Sequence, residues 1–195
     1  FKDHAHTING HSVVLRLTYD KVKLLLSGDL NPDGSKNLLE DPDLKTRMDA
    51  HILKAPHHGS HEFEMDFLDS VNPQISVISS GNDPDHGHPR ANFIASIGNV
   101  SRTRKKDESL VFSTEIASSF AEVGKTLEEE IDLSADELKR LDDSTLKKAS
   151  GLYKRRLHGM INVRTDGNDM YAARRVSSGY LWESYGPITP SPRSI

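Results

Sequence analysis

The run Lys21-Val-Lys-Leu-Leu-Leu-Ser27, closing on Gly28-Asp29, constrains the chain more than any other stretch. Three leucines in succession have no polar face, so the strand must be covered on both sides, as central strands of a layered sheet are. The preceding Ser12-Val-Val-Leu-Arg-Leu-Thr-Tyr19 is β-rich and is separated from it only by Asp20. The two therefore predict a hairpin. An acid just after a Gly, at the carboxyl end of a buried strand, stands where layered α/β folds bind ligands.

Strands and helices continue to alternate after it. Asn31-Pro-Asp-Gly34 predicts a turn, and Ser35 to Asp49 a helix with Leu38, Leu39, Leu44 and Met48 inward. His51-Ile-Leu-Lys-Ala55 predicts a short strand that runs into Pro56-His-His-Gly-Ser60. Ser60 is placed as the N-cap of the next helix, with Glu64 in its first turn, one face of Phe63, Phe67, Leu68 and Val71, and Pro73 as its stop. Gln74 to Ser79 predicts a strand, Gly81 to Pro89 a Gly- and Pro-rich loop, Ala91 to Ile97 a short helix, and Ser109 to Ser113 a further strand.

The later part is less regular. Lys125 to Arg156 is charged and helical in pattern, with capping-box spacing at Ser134 and Glu137. Gly159 to Arg164 and Met170 to Arg174, joined by Asp166-Gly-Asn168, predict a second hairpin. From Gly186 the tail holds three Pro and two Ser, and reads as a surface strap or a disordered end.

Composition narrows the chemistry. The 195 residues include ten His and no Cys, which excludes a disulfide scaffold, a thiol nucleophile and any thiolate metal site. The absence of Cys is compatible with a reducing cytosol, so a cytoplasmic location is expected. No apolar run approaches the roughly 20 residues of a membrane helix, so no membrane segment is expected. A net charge of −4 argues against a dedicated nucleic-acid-binding surface. A basic helix from Lys147 to Arg156 is a candidate nucleic-acid contact, against which stands the plainer reading of a solvated helix face beside Asp142 and Asp143.

Any metal here must be held by imidazole and carboxylate. Taken singly, each histidine is no more than a polar residue. Jointly, His57 and His58 follow one strand, and His86 and His88 the next. Adjacent strands place their C-terminal loops side by side, so Asp29, His57, His58, His86 and His88 could converge on one point. Asp29 could then bridge two ions about 3.5–4 Å apart. His51 and His158 stand next to strands and read as structural. His4-Ala-His6 alternates as a strand would, placing both rings on one face, and His11 lies nearest the strand that pairs with the Gly-Asp strand.

The order of these elements carries a family resemblance. Asn9-Gly-His-Ser-Val-Val-Leu-Arg-Leu17, Leu24-Leu-Leu-Ser-Gly-Asp-Leu30, Leu53-Lys-Ala-Pro-His-His-Gly-Ser60, Ile75-Ser-Val-Ile-Ser-Ser80 and His86-Gly-His-Pro89 resemble the metallo-β-lactamase superfamily. The chain is most similar to the metallohydrolase domain of ComEC-type DNA-uptake proteins and their stand-alone relatives. Leu110-Val-Phe-Ser-Thr-Glu-Ile116 and Gly159-Met-Ile-Asn-Val-Arg-Thr-Asp-Gly167 resemble its closing strands. The resemblance covers residues 9–115 and 157–175. The family's His-x-His-x-Asp-His motif is absent, since His4-Ala-His6 lacks the Asp-His that should follow.

The resemblance implies an α/β fold, the C-terminal half of a metallo-β-lactamase αββα sandwich with a helical insertion. Residues 1–115 and 157–185 form the half-domain, 116–156 the insertion and 186–195 the tail. It implies Asp29, His57 and His88 as metal ligands, and His58 and His88 as catalytic groups that stabilise charge or protonate a leaving group. Gly59 and Ser60 could offer an anion site. Two zinc ions, with manganese as the alternative, would activate a water for phosphodiester hydrolysis of a nucleotide or nucleic acid. Half a sandwich exposes a sheet face, so either the missing N-terminal half or a dimer mate is the expected partner. A non-catalytic binding or scaffold module that keeps the fold is the alternative function.

Overall fold

The computed structural model describes residues 4–81, 87–101, 110–114, 160–175 and 181–192. The helical insertion, Ser134 and Glu137, the Lys147–Arg156 helix, His86 and His158 lie outside the described residues.

A five-stranded sheet runs in the order β1-β2-β3-β4-β5, formed by Leu15–Tyr19, Val22–Leu26, Ile52–Lys54, Ile75–Ile78 and Leu110–Ser113. The β1–β2 hairpin is antiparallel, with Leu17 opposite Leu24, and the remaining pairings are parallel. Helices α2 (Pro32–Glu40), α3 (Pro42–Thr46), α4 (Met65–Val71) and α5 (Ala91–Ser101) connect these strands. A second sheet, antiparallel and three-stranded, comprises β6 (Ile161–Thr165), β7 (Met170–Arg175) and β8 (Trp182–Ile188).

Two cores follow from the two faces of the large sheet. On one face Leu25, Leu53 and Ile78 pack with Leu30, Phe67, Leu68, Phe93 and Ile97 from the helices and their connections. On the other, Val22, Ile52, Ile75 and Phe112 pack against Met170, Ala172 and Ile188 of the small sheet. The fold is thus a layered α/β arrangement of helices, mixed sheet and antiparallel sheet, as the sequence predicts. Leu25 is fully buried, and Leu24 and Leu26 are half-buried, so the leucine run is covered from both sides. At the open edge all five β1 residues are exposed. There Leu17 and Tyr19 overhang a crevice of about 220 Å3 shared with Leu24, Ile52 and Val163. Among the described residues no helix is long and apolar enough to cross a membrane.

Several local expectations are corrected. The single helix over 35–49 is two helices, because Pro42 cannot continue α2. The Asn31-Pro-Asp-Gly turn is instead the start of α2: the Asn31 side chain caps it by accepting from Gly34 N at 3.0 Å. Ser60 does not cap α4, which begins at Met65 after Glu64. Its hydroxyl accepts from Glu62 N at 3.2 Å within the loop. His4-Ala-His6 lies in a short helix, α1 (His4–Gly10), not in a strand, so the two residues do not share a strand face. The short helix after residue 90 extends to Ser101. The tail from Gly186 begins inside β8 and continues as a strap, with Gln74 Nε2 donating to Thr189 O and Ser191 N donating to Gln74 Oε1, both at 3.0 Å.

Candidate functional site

Parallel pairing of β2, β3 and β4 brings their carboxyl ends to one edge, and each end carries a polar loop. Asp29 follows β2, His57 and His58 follow β3, and Ser79 and His88 follow β4.

The first loop is set by Gly28, whose φ of +55° turns the chain sharply after Ser27. The Ser27 hydroxyl donates to Lys54 O at 2.7 Å, and Asp29 N donates to the Ser12 hydroxyl at 3.0 Å. The Gly28 carbonyl accepts from His57 N at 3.1 Å and from Lys54 Nζ at 2.8 Å. The first two strand ends are therefore cross-tied through backbone.

The second loop is a 3-10 turn, Pro56–Gly59, with left-handed backbone at three successive residues: φ is +44° at His57, +54° at His58 and +77° at Gly59. For a residue with a Cβ this costs about 1–2 kcal/mol, and such strain gathers at ligand sites. Glycine is required at the third position for a second reason. A Cβ on Gly59 would stand 2.9 Å from Pro89 Cβ and 3.2 Å from both Ile78 and Phe93. The Gly59 carbonyl accepts from Arg90 N at 2.8 Å, tying this turn to the His88–Pro89 loop.

The turn throws its two imidazoles in different directions. His58 Nε2 lies 3.1 Å from Asp29 Oδ1. Its Nδ1 is held against the Ser79 carbonyl, with the Ser79 hydroxyl at 3.4 Å. A carbonyl only accepts, so Nδ1 carries the hydrogen and Nε2 is aimed at the carboxylate. Lys54 Nζ stands 3.8 Å from the same Oδ1. Burial lowers the Lys54 ammonium below its ordinary value, opposed by Asp29.

His57 points toward His88, the ring centroids 5.5 Å apart and the planes at 69°. Its Nε2 is 3.4 Å from Asn9 Nδ2, and its Nδ1 is buried with no hydrogen-bond partner among the described residues. Desolvation lowers the His57 imidazole from its ordinary value, while the Asp29 charge raises it and the neighbouring His58 lowers it.

Of the sequence-predicted residues, Asp29, His57, His58 and His88 are thus gathered at one edge. Of the two neighbouring imidazoles, it is His58 that contacts Asp29. His51 is structural, its Nδ1 accepting from Lys23 N at 3.0 Å, and His11 Nδ1 bonds Thr7 O at 2.8 Å. The sequence reading leaves out Lys54, Asn9 and Ser79. Lys54 carries a sequence signal, as the lone cation that ends the strand Ile52–Lys54.

Among the described residues, no three His, Asp or Glu side chains converge as a cation site requires. Asp29 and His58 close on each other, and His57 and His88 face one another edge-on. These residues do not by themselves fit a two-zinc centre.

No protein-family model matches the chain, and no solved structure does. Two curated proteins share similarity with it. One is competence protein ComA of Neisseria gonorrhoeae, 34% identical over 82 residues, which is 42% of this chain and 12% of that protein. The other is ComE operon protein 3 of Bacillus subtilis (strain 168), 30% identical over 83 residues, 42% of this chain and 10% of that protein. The matched stretch is about a tenth of the length of either relative.

Proposed function

We propose that this chain is the later half of a phosphodiester-hydrolysing module in a DNA-uptake protein, in the manner of the metallo-β-lactamase fold, working in the cytoplasm. Similarity to competence protein ComA and to ComE operon protein 3 supports the uptake role. The observation that carries the hydrolytic reading is the Asp29–His58 contact of 3.1 Å at the carboxyl ends of neighbouring parallel strands, beside the unsatisfied His57 Nδ1. Carboxylate and imidazole at such an edge suit general acid–base work on a phosphoryl centre. Zinc or manganese enters this reading only with ligands from outside the described residues, supplied by a preceding half of the fold or by a dimer mate. Asp29, His57 and His88 are this chain's contributions to that set, and His58 and His88 its proton-handling groups.

The test is a nuclease assay with added zinc or manganese. It compares the chain alone with the chain joined to the coding sequence that flanks it. Hydrolysis by the joined form, lost in Asp29→Ala and His58→Ala without unfolding, is expected; full activity in both variants would overturn the assignment. The closed Asp29–His58 pair also favours a second reading, a binding or scaffold module without chemistry. A folded joined form that takes up no metal and cleaves nothing would establish that reading.

A further inference from the structure

Among the described residues, the small sheet buries one face and leaves the other uncovered. Val163, Met170, Ala172 and Ile188 turn inward with Tyr185, whose ring meets Phe112 edge-on at 5.4 Å. Alternation then puts the other set outward: Arg164 opposite Tyr171, Asn162 opposite Ala173, Ala173 opposite Ser184, and Arg175 opposite Trp182. A shallow groove of about 550 Å3 crosses this face, lined in part by Asn162, Arg164, Tyr171, Trp182 and Ser184. Tyr171 is 42% exposed. A solvated sheet face needs no aromatic rings for stability, and this one has two, with arginines set among them.

The Tyr171 ring is also positioned. Gly186 on the neighbouring strand has φ +130°, and a Cβ there would come within 2.9 Å of Tyr171 Cδ1. The bare glycine lets the ring lie close over the β8 backbone. Charge completes the pattern. The three strands hold Arg164, Arg174 and Arg175 against a single acid, Glu183. Glu183 stands opposite Arg174 on the inward set and is taken up by it at 2.6 Å, so the outward set of the strands carries Arg164 and Arg175 with no acid among them.

We infer that this outward face is a stacking platform for single-stranded nucleic acid. Unpaired bases stack on Tyr171 and Trp182, and Arg164 and Arg175 meet the phosphates. Every base has a π-face, so such a surface binds without sequence preference. Paired bases cannot stack on it, which sets single strands apart from duplex. The inference uses no residue of the Asp29–His58 edge and requires no hydrolysis.

Trp182 is the chain's single tryptophan, so its fluorescence reports this face alone. The experiment titrates the chain with a single-stranded oligothymidylate, in EDTA so that nothing is cleaved, and follows both fluorescence and anisotropy of the labelled oligonucleotide. Saturable quenching is expected. Two phosphate contacts should weaken binding about sevenfold between 50 and 200 mM salt. Tyr171→Ala should weaken it at least fivefold, Tyr171→Phe should restore it, and Arg164→Ala should flatten the salt dependence. Thermal melts confirm that these exposed variants stay folded. Absence of binding, binding without quenching, equal affinity for a duplex of the same length, or an unchanged Tyr171→Ala would each overturn the inference.

Discussion

Asp29 Oδ1 lies 3.1 Å from His58 Nε2, and the same carboxylate raises the affinity of both His57 and Lys54 for their protons. One charge therefore stands against three basic groups at the strand-end edge. Asp29→Asn keeps the shape and removes the charge. The His57 imidazole, already lowered by burial, should then titrate at still lower pH, and Lys54 should move down with it. Following the His57 ring proton by NMR against pH checks this. A His57 titration that stays put or moves upward would show that the carboxylate does not act on it.

Burial of His57 also makes stability depend on pH. Its folded-state value lies below the ordinary 6.5, so as pH falls the unfolded chain takes the proton first. The contribution from the neutral ring is present above about 6.5 and is lost as pH falls through the folded value. His57→Gln should therefore show a shallower drop in melting temperature than the parent between about pH 7.5 and 5. Parallel curves for the two proteins would remove His57 as a source of acid sensitivity.

The strands around this edge are legible because each is an apolar run bounded by Gly, Pro or a polar loop, and parallel pairing then gathers their carboxyl ends. That logic brings Asp29, His57, His58 and His88 together without coordinates. It does not say which imidazole meets Asp29. The choice rests on left-handed backbone at His57 and His58, which side-chain identity disfavours and only the surrounding ties to Gly28 and Arg90 maintain. The break at Pro42 is written as an Asp-Pro pair, which the leucine spacing on either side of it obscures. The tail misled for a different reason. Gly186 and Pro187 read as breakers, yet they sit in an outer strand where the pairing with β7 shifts register between Met170 and Ala172, and such irregular edges tolerate both residues.

The strap after β8 is held by one buried side chain, Gln74, and by the Thr189 hydroxyl donating to Asp169 Oδ1 at 2.9 Å. Gln74 is almost fully buried and uses both ends of its amide to hold Thr189 and Ser191. Gln74→Ala removes two hydrogen bonds, each worth about 0.5–1.5 kcal/mol, while the freed backbone groups can turn to water. Faster proteolytic cleavage after Ile188 is expected, with only a modest fall in melting temperature. Unchanged cleavage kinetics would mean that the strap is held elsewhere.

Gly59 combines two demands that a residue bearing a Cβ cannot meet at once. Its φ of +77° costs a residue with a Cβ about 1–2 kcal/mol. The new Cβ would also be driven into Pro89, Ile78 and Phe93, of which Ile78 and Phe93 are fully buried core side chains unable to give way cheaply. Overpacking of this kind adds about 1–3 kcal/mol. Gly59→Ala should therefore destabilise the fold by about 2–5 kcal/mol in denaturant melts. It should also loosen the tie between Gly59 O and Arg90 N, and with it the approach of His57 to His88. A second glycine variant separates local from general damage. Gly98, on α5, has nothing within 4 Å of a built Cβ, and Ala at a helix position is favoured over Gly by about 1 kcal/mol. Gly98→Ala should leave stability equal or higher. Equal losses in both variants would deny Gly59 its special place beneath the histidine turn.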